Sequence, residues 1–126
     1  MVVVDIAYTR YVMGCPVMNK YRAKKVSLDG YVFDSKAEAR RYGELKLVLR
    51  AKGINRLRVH QRFPLFVNGI KIATYIADFT YYEQKHNDGL VVEDVKSPVT
   101  AKLPAFRMKK KLMLALYGIE IKEVRA

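Results

Sequence analysis

The spacing of hydrophobic residues changes along the chain, and this change constrains the fold more than any other sequence feature. One set of residues recurs every three or four positions, the spacing of a single helix face, and comprises Ser35, Glu38, Tyr42, Leu45 and Leu49. Over residues 57–63 apolar residues and Gln61 alternate with basic residues, which predicts a strand with one apolar face and one basic face that includes His60. A second helical spacing follows near the C-terminus. The sequence therefore predicts a mixed α/β domain built around a sheet.

Both predicted helices carry start and stop signals. The first is predicted over residues 35–52, with Ser35 as its N-cap and Gly53 as its C-terminal stop. The second is predicted over residues 104–117, because proline suits a first helical turn and Gly118 suits the end. The same helical spacing predicts a buried stripe on the second helix made of Ala105, Met108, Leu112 and Ala115.

Short turn signals define the strands. Asp29-Gly30 and Asn68-Gly69 each predict a two-residue hairpin turn. The second turn leads into a strand predicted over about residues 70–82. A polar loop that ends at Asn87-Asp88-Gly89 leads to a further strand, and this loop is short enough to make the two strands an antiparallel hairpin. The further strand covers residues 90–96, Pro98 closes it, and residues 119–124 are predicted to form a short final strand.

Length and composition favour one domain. The chain has 126 residues, 51% of them hydrophobic, which is enough for one core and argues against disorder. Residues 1–18 are apolar and almost uncharged, and are predicted to be an N-terminal extension or arm and a candidate dimer contact; residues 19–126 form the domain. There is no bilayer-length apolar run, no secretory signal pattern and one cysteine, Cys15, so a cytoplasmic location is expected.

The charge of the chain indicates its partner class. The 24 Lys and Arg residues outnumber the 12 Asp and Glu residues, which gives a formal net charge of +12. A compact domain with this imbalance favours a polyanionic partner, and nucleic acid is the usual one. The alternatives are an anionic membrane surface or a basic protein with no such partner. Three groups are candidate DNA contacts: Lys20, Arg22, Lys24 and Lys25; Arg56, Arg58 and Arg62; and Arg107, Lys109, Lys110 and Lys111.

The chemistry is concentrated on two neighbouring predicted strands. Side chains alternate along a strand, so Asp94 and Lys96 lie on one face. A register that pairs Tyr82 with Leu90 puts Asp78 directly opposite Asp94. Carboxylates about 5 Å apart repel each other, and a divalent cation such as Mg²⁺ between them removes this repulsion. Lys96 would then orient a water and stabilise transition-state charge, which indicates phosphodiester hydrolysis.

Asp78, followed after a hairpin loop by Asp94-Val95-Lys96, resembles the motif of the PD-(D/E)XK nuclease superfamily. Ala77 replaces the proline of that motif, and Asp94 replaces its more frequent glutamate. Residues 33–40 resemble the first helix of the superfamily, which often contributes a further acid, here Glu38. The stretch from residue 19 to about residue 111 is similar to a family of small phage-encoded nucleases regarded as Holliday-junction-resolvase-like or recombination enzymes.

The resemblance implies a restriction-endonuclease-like core, with a central mixed sheet flanked by helices in the order α-β-β-β-α-β. It implies an endonuclease that uses Mg²⁺, for which Mn²⁺ would substitute. Asp78 and Asp94 would be metal ligands, with the carbonyl of Val95 and the Glu38 carboxylate as further candidates and Lys96 as a catalytic cation. The implied substrate is branched DNA such as a Holliday junction, cut by a homodimer in a bacterial host cytoplasm.

Alternative interpretations remain open from the sequence. Glu38 can be the partner of Ser35 in a capping box, and Asp78 can form an ordinary cross-strand ion pair with Lys96. Gln61 either satisfies a buried backbone group or holds a water or phosphate near the metal. Three further residues are not expected to take part in the chemistry: Glu93, on the opposite face and interpreted as a sheet-surface residue, and His60 and His86. The rival functions are cleavage of linear, nicked or foreign duplex, cleavage of RNA, and DNA binding without catalysis.

Overall fold

The computed structural model describes residues 25–83 and 89–126, and these form an α/β fold with a mixed sheet and two helices. The helices are α1 (Lys36–Arg50) and α2 (Pro104–Tyr117), and a short 3-10 helix covers Thr100–Lys102. The eight strands are β1 (Val26–Leu28), β2 (Tyr31–Phe33), β3 (Ile54–Val59), β4 (Arg62–Val67), β5 (Ile70–Ile76), β6 (Phe79–Glu83), β7 (Leu90–Lys96) and β8 (Lys122–Arg125).

The central sheet has four strands in the order β3-β6-β7-β8. Strand β6 is antiparallel to both of its neighbours, β3 and β7, whereas β8 is parallel to β7 because α2 carries the chain back before it. The predicted pairing of Tyr82 with Leu90 is confirmed. The final strand lies later than predicted, over Lys122–Arg125 instead of residues 119–124.

The hairpin turns form where the sequence predicts them. Leu28 pairs with Tyr31 across Asp29-Gly30, and Val67 pairs with Ile70 across Asn68-Gly69. Both central residues of each turn have φ between 50° and 84°. Such values identify type I′ turns, for which an Asp-Gly or Asn-Gly pair is preferred.

Helix α1 begins as predicted but ends differently in detail. The Ser35 side chain accepts a hydrogen bond from the Glu38 backbone N–H at 3.1 Å, so Ser35 is the N-cap. At the other end the left-handed residue is Lys52, with φ 64°, and not Gly53. The Gly53 N–H donates to the Val48 carbonyl at 2.9 Å, and a Cβ on Gly53 would lie 2.8 Å from Val48 Cγ1. Glycine is therefore favoured at this position by close approach. Leu49, predicted on the buried stripe, is 37% exposed.

Helix α2 has the predicted boundaries but not the predicted buried stripe. Ala105, Met108 and Ala115 are exposed and Leu112 is half-buried, whereas Phe106 and Met113 are buried. The two buried residues are seven positions apart, close to two helical turns, and therefore share a face. Apolar residues occur on several faces of this helix, so the spacing alone did not identify the face with the largest side chains.

The two strands predicted to run through residues 57–63 and 70–82 are each broken, and both breaks occur at the same point. The first strand becomes β3 and β4, and the second becomes β5 and β6. The register is the same on both sides of the break, because Val59 pairs with Phe79 before it and Arg62 pairs with Ile76 after it. The four segments are thus one long hairpin that bends in the middle.

The bend retains its backbone hydrogen bonds. The His60 N–H donates to the Asp78 carbonyl at 3.1 Å, and the Ala77 N–H donates to the Gln61 carbonyl at 2.9 Å. His60 has φ 58°, a left-handed conformation that is uncommon for a residue with a side chain. This conformation interrupts the alternation of faces, so the chain leaves the four-stranded sheet and continues as the β4–β5 hairpin.

Two clusters of buried side chains lie on opposite faces of the central sheet. Helix α1 packs in the first, which contains Phe33, Ala39, Tyr42, Leu45, Ile54, Phe79 and Tyr81. Helix α2 and the β4–β5 hairpin pack in the second, which contains Phe63, Leu65, Tyr75, Ala77, Val92, Phe106, Met113 and Ile121. Neither helix of the described chain is long and apolar enough to cross a bilayer.

A buried ion pair joins α1 to β7. Glu93 is fully buried, so its interpretation as a sheet-surface residue was wrong, although it does lie on the face opposite Asp94. Arg41 reaches both oxygens of Glu93, with Nε 2.8 Å from Oε1 and Nη2 2.7 Å from Oε2. The Tyr81 hydroxyl also donates to Glu93. Glu93 is buried because α1 covers this face of the sheet and supplies the guanidinium.

We expect Arg41→Ala to lower the free energy of unfolding by about 3 kcal/mol, because it removes the guanidinium that contacts both oxygens of the buried Glu93 carboxylate and leaves only the Lys122 ammonium, 3.9 Å from Oε2. The neighbouring Arg40 is exposed, so Arg40→Ala is the matched control and should change stability by less than about 0.5 kcal/mol. Urea denaturation of both variants measures the difference. Equal stabilities of the two variants would show that the ion pair does not hold α1 to the sheet.

Candidate functional site

Carboxylates from three elements meet at one end of the central sheet. Asp78 lies in the bend before β6, Asp94 lies near the end of β7, and Glu38 lies in the first turn of α1. Glu38 is 4% exposed and Asp94 is 3% exposed. The β6–β7 register pairs Phe79 with Glu93, and one further step places Asp78 opposite Asp94. Asp78 and Asp94 are therefore neighbours across the hairpin, as predicted.

The environment of Asp78 opposes its ionisation. Its pKa is raised well above the ordinary value, first by burial, then by the negative charges of Asp94 and Glu38. One interaction acts in the opposite direction, because the Val95 N–H donates to Asp78 Oδ2 at 2.8 Å. The N–H and C=O groups of a strand residue point toward the same neighbouring strand. The Val95 carbonyl therefore also points toward the side of β7 on which Asp78 lies.

Asp94 has a separate partner on each oxygen. Lys96 Nζ lies 3.1 Å from Oδ1, and the Tyr75 hydroxyl donates to Oδ2 at 2.7 Å. Burial and the adjacent Asp94 charge raise the pKa of Tyr75 far above its usual range, so this hydroxyl remains a donor. Among the described residues the Lys96 ion pair is with Asp94, which lies on its own strand, and not with Asp78 across the hairpin.

The Lys96 ammonium is also held from the opposite side of the site. It lies 4.3 Å from the centre of the Phe106 ring, in the first turn of α2. Neither Tyr75 nor Phe106 was predicted to be a site residue. Both have the ordinary appearance of core aromatics, and no spacing relates them to the Asp-Val-Lys motif.

Glu38 has a partner that was not expected to take part in the chemistry. His60 Nε2 lies 3.0 Å from Glu38 Oε1. The alternation along the predicted strand places His60 on the outward basic face, and its left-handed φ breaks that alternation. One ligand atom each from Glu38, His60 and Asp78 lie within 4.8 Å of one another. Ser35 caps the helix through the Glu38 backbone, which leaves the carboxylate free for this cluster.

Gln61 contributes to the bend instead of pointing to a ligand. Its side-chain oxygen accepts a hydrogen bond from the Thr80 hydroxyl at 2.6 Å, and Thr80 is 1% exposed. Its backbone carbonyl accepts from Ala77. The sequence left two roles open for Gln61, and this contact favours the one in which Gln61 satisfies a buried polar group. That group is the Thr80 hydroxyl.

The candidate DNA-binding residues are distributed unevenly. Lys20, Arg22 and Lys24 lie outside the described residues, as do residues 1–18 and His86, whereas the neighbouring Lys25 is described and exposed. On β3 and β4, Arg56, Arg58 and Arg62 are exposed, with the Arg56 guanidinium 5.6 Å from the Tyr82 ring centre.

The basic residues of α2 are only partly on the exposed side. Arg107 and Lys111 are exposed, but Lys109 and Lys110 are half-buried, and Lys110 forms an ion pair with Glu123. Arg107, Lys110 and Lys111 line a hollow of about 360 Å³ that also contains Glu120 and Glu123. The hollow is not lined by the carboxylates at the end of the sheet.

Two further basic residues lie at the same end of the sheet as the carboxylates. Lys96 pairs with Arg125 in the parallel β7–β8 register, and Arg125 is exposed. Lys36 is the first residue of α1 and is also exposed. Neither residue was predicted to contact DNA, since neither belongs to a run of basic residues.

The fold and site define an α/β protein with a buried carboxylate cluster and a lysine at one end of a mixed sheet. The family model described as "Protein of unknown function (DUF1064)" matches residues 18–125, and the chain belongs to this family. No curated protein matches the sequence significantly.

The donor set fits a divalent cation. Asp78, Asp94 and Glu38 could each offer a carboxylate oxygen, and the effect of the other two charges on Asp78 indicates that the three lie close together. Oxygen ligands of this kind suit Mg²⁺ and Mn²⁺. Burial, and after it the negative charges of Asp94 and Glu38, raise the pKa of Asp78, and a cation bound beside it would offset those charges.

The raised pKa of Asp78 makes a prediction about stability. Between its ordinary value of 3.8 and its raised folded value, the folded state binds more protons than the unfolded state. The contribution of Asp78 to stability is therefore lost as the pH rises through this window. In metal-free buffer at pH 7, Asp78→Asn should raise the melting temperature by an amount equivalent to about 0.5–2 kcal/mol, the usual gain from such relief.

Thermal unfolding in EDTA from pH 4 to pH 7.5 measures this effect, and the gain should shrink as the pH approaches 3.8. Asp34→Asn is the matched control, because Asp34 has an 82% exposed side chain and its substitution should leave stability nearly unchanged. A lower melting temperature for Asp78→Asn at pH 7 would contradict the prediction.

Proposed function

We propose that this protein is a metal-dependent endonuclease that hydrolyses DNA phosphodiester bonds. The observation that carries the proposal is the adjacent pair of half-buried Asp78 and buried Asp94, with Lys96 Nζ 3.1 Å from Asp94. Folding alone does not favour two carboxylates opposite each other in a low-dielectric site. The element order α1, β3, β6, β7, α2, β8 is compatible with the restriction-endonuclease-like core that the motif implies.

Each residue has a role in this proposal. Asp78, Asp94 and the Val95 carbonyl would hold the cation, with Glu38 as a further acidic ligand or a ligand to a bound water. A divalent cation bound there would lower the pKa of a bound water and offset charge on the phosphate. The Lys96 ammonium would orient the attacking water and stabilise negative charge on the phosphoryl oxygens. Tyr75 and Phe106 keep Asp94 and Lys96 in place.

DNA is the proposed substrate because of charge, and branched DNA because of resemblance. The net charge of +12 favours a polyanion, and exposed Lys36 and Arg125 lie at the end of the sheet that carries the site. The resemblance to phage Holliday-junction-resolvase-like nucleases favours a four-way junction in recombination or DNA processing. Two symmetric cuts need two sites, so a homodimer is proposed.

The test is cleavage of a labelled four-way junction and a matched linear duplex in Mg²⁺, Mn²⁺ or EDTA. Metal-dependent cutting of the junction is expected, and Asp94→Asn or Lys96→Met should reduce its rate at least about 100-fold, the usual cost of removing one preorganised stabilising group. Asp34→Asn, an exposed carboxylate, is the control and should cut normally.

Equal cutting of junction and duplex would retain the chemistry and reject the junction preference. A matched RNA substrate tests the rival RNA-directed enzyme in the same assay. Tight DNA binding that is the same in Mg²⁺ and EDTA, with no cutting in any metal, would overturn the nuclease and leave a DNA-binding protein.

A second prediction tests how DNA reaches the site. Neutralising Arg125 or Lys36 as Arg125→Gln or Lys36→Gln should weaken DNA binding and reduce the slope of log affinity against log salt by about 0.9 each. Arg50→Gln is the control, since Arg50 ends α1, about 21 Å from Lys36 at 1.5 Å per residue. Fluorescence anisotropy of Asp94→Asn protein at several salt concentrations measures binding without cleavage. Equal slopes for all three variants would reject this approach of the DNA.

A further inference from the structure

The cluster of Glu38, His60 and Asp78 differs in chemistry from the Asp78–Asp94 pair. His60 supplies an imidazole nitrogen, and one ligand atom from each of the three residues lies within 4.8 Å of the others. His60 Nε2 is 3.0 Å from Glu38 Oε1, and Glu38 is almost fully buried. These residues come from α1 and from both sides of the bend, so they meet only in the folded chain.

His60 makes this contact from a left-handed backbone conformation, with φ 58°. A left-handed φ in a residue with a side chain costs about 1–3 kcal/mol, and such strain is concentrated at functional sites. The ring is also fixed by packing, with its centre 5.8 Å from that of Phe33. The imidazole is therefore preorganised beside the two carboxylates.

The kind of cation follows from the donor atoms. Mg²⁺ prefers oxygen ligands, whereas imidazole favours zinc and the later first-row metals such as Co²⁺. A site with one imidazole and two carboxylates matches the donors of zinc sites, which combine histidine nitrogen with carboxylate oxygen. A buried Glu–His hydrogen bond without metal is the competing explanation.

We propose that Glu38, His60 and Asp78 form a second cation position that takes a transition-metal dication of the Zn²⁺ class in preference to Mg²⁺. This inference rests on the proposed function in one respect, because Asp78 would be shared with the Mg²⁺ position beside Asp94. The nitrogen ligand is the feature that separates the two positions, and it can be removed without altering Asp94 or Lys96.

The experiment measures metal binding on the full chain without nucleic acid. The background is Cys15→Ser with His86→Gln, because the chain has one cysteine and two histidines, and this background leaves His60 as the sole histidine. Zn²⁺ and Mg²⁺ are titrated separately by calorimetry, and imidazole nitrogen resonances are followed by NMR during the Zn²⁺ titration. His60→Asn is the test variant, since asparagine tolerates the left-handed conformation. Its melting temperature in EDTA verifies that it is folded.

We expect Zn²⁺ to shift the His60 ring resonances at one equivalent. Losing even an outer-shell partner of a metal ligand costs about 10- to 100-fold in affinity, so His60→Asn should lower Zn²⁺ affinity at least about tenfold and leave Mg²⁺ affinity unchanged. Asp94→Asn should have the opposite effect and reduce the affinity for Mg²⁺ more than the affinity for Zn²⁺. Unmoved His60 resonances, or equal Zn²⁺ binding by His60→Asn, would overturn the second position.

The two proposals can fail independently. If Asp94→Asn abolishes metal-dependent cleavage while His60→Asn binds Zn²⁺ normally, the nuclease stands and the second position is rejected. If His60→Asn loses Zn²⁺ affinity as expected but the protein cuts no nucleic acid, the second cation position stands and the nuclease is rejected.

Discussion

The bend in the long hairpin is the constraint on which the rest of the structure depends. Without it, β3–β4 and β5–β6 would be two continuous strands in one sheet, and Asp78 would be an interior residue of that sheet. The bend ends the four-stranded sheet at Asp78 and sends β4–β5 to pack with α2 in the second cluster. The same change of direction turns His60 toward Glu38. The hydrogen bonds His60–Asp78 and Ala77–Gln61 keep the bend paired, so it does not leave these buried backbone groups unsatisfied.

Strand β7 links the two sides of the site because its residues alternate between faces. Glu93 points toward α1 and binds Arg41, and the next residue, Asp94, points to the other face and binds Lys96 and Tyr75. Arg41 is three residues after Glu38 on α1, which places both on one side of the helix. The ion pair that holds α1 to the sheet therefore also sets the position of Glu38 relative to Asp94. Strand β7 therefore carries a carboxylate on each face. This explains how α1, on one face, and α2, on the other, can both contribute to one site.

Much of the fold could be predicted because its signals are local. The Asp-Gly and Asn-Gly turns, the Ser35 cap and the ends of α2 follow from residues within one turn of the chain. The approach of Asp78 to Asp94 followed from a register that the short loop restricts. His60, Glu93 and the buried face of α2 could not be predicted in the same way. Their environments depend on packing between distant segments, and a left-handed residue inside a predicted strand gives no periodic signal.

Asp78 and Asp94 are neighbours, but Asp94 has more stabilising partners inside the protein than Asp78 has. This difference explains how the site can be stable without a cation. Asp94 has an ammonium on one oxygen and a phenol hydroxyl on the other, both inside the protein. Asp78 has one backbone N–H and two adjacent negative charges, and its raised pKa means that a proton can substitute for the missing cation. A divalent cation bound at this position would compete with this proton for the same carboxylate. The interactions around Asp94 thus hold its carboxylate in place from both oxygens, whereas Asp78 is the carboxylate whose surroundings oppose its ionisation.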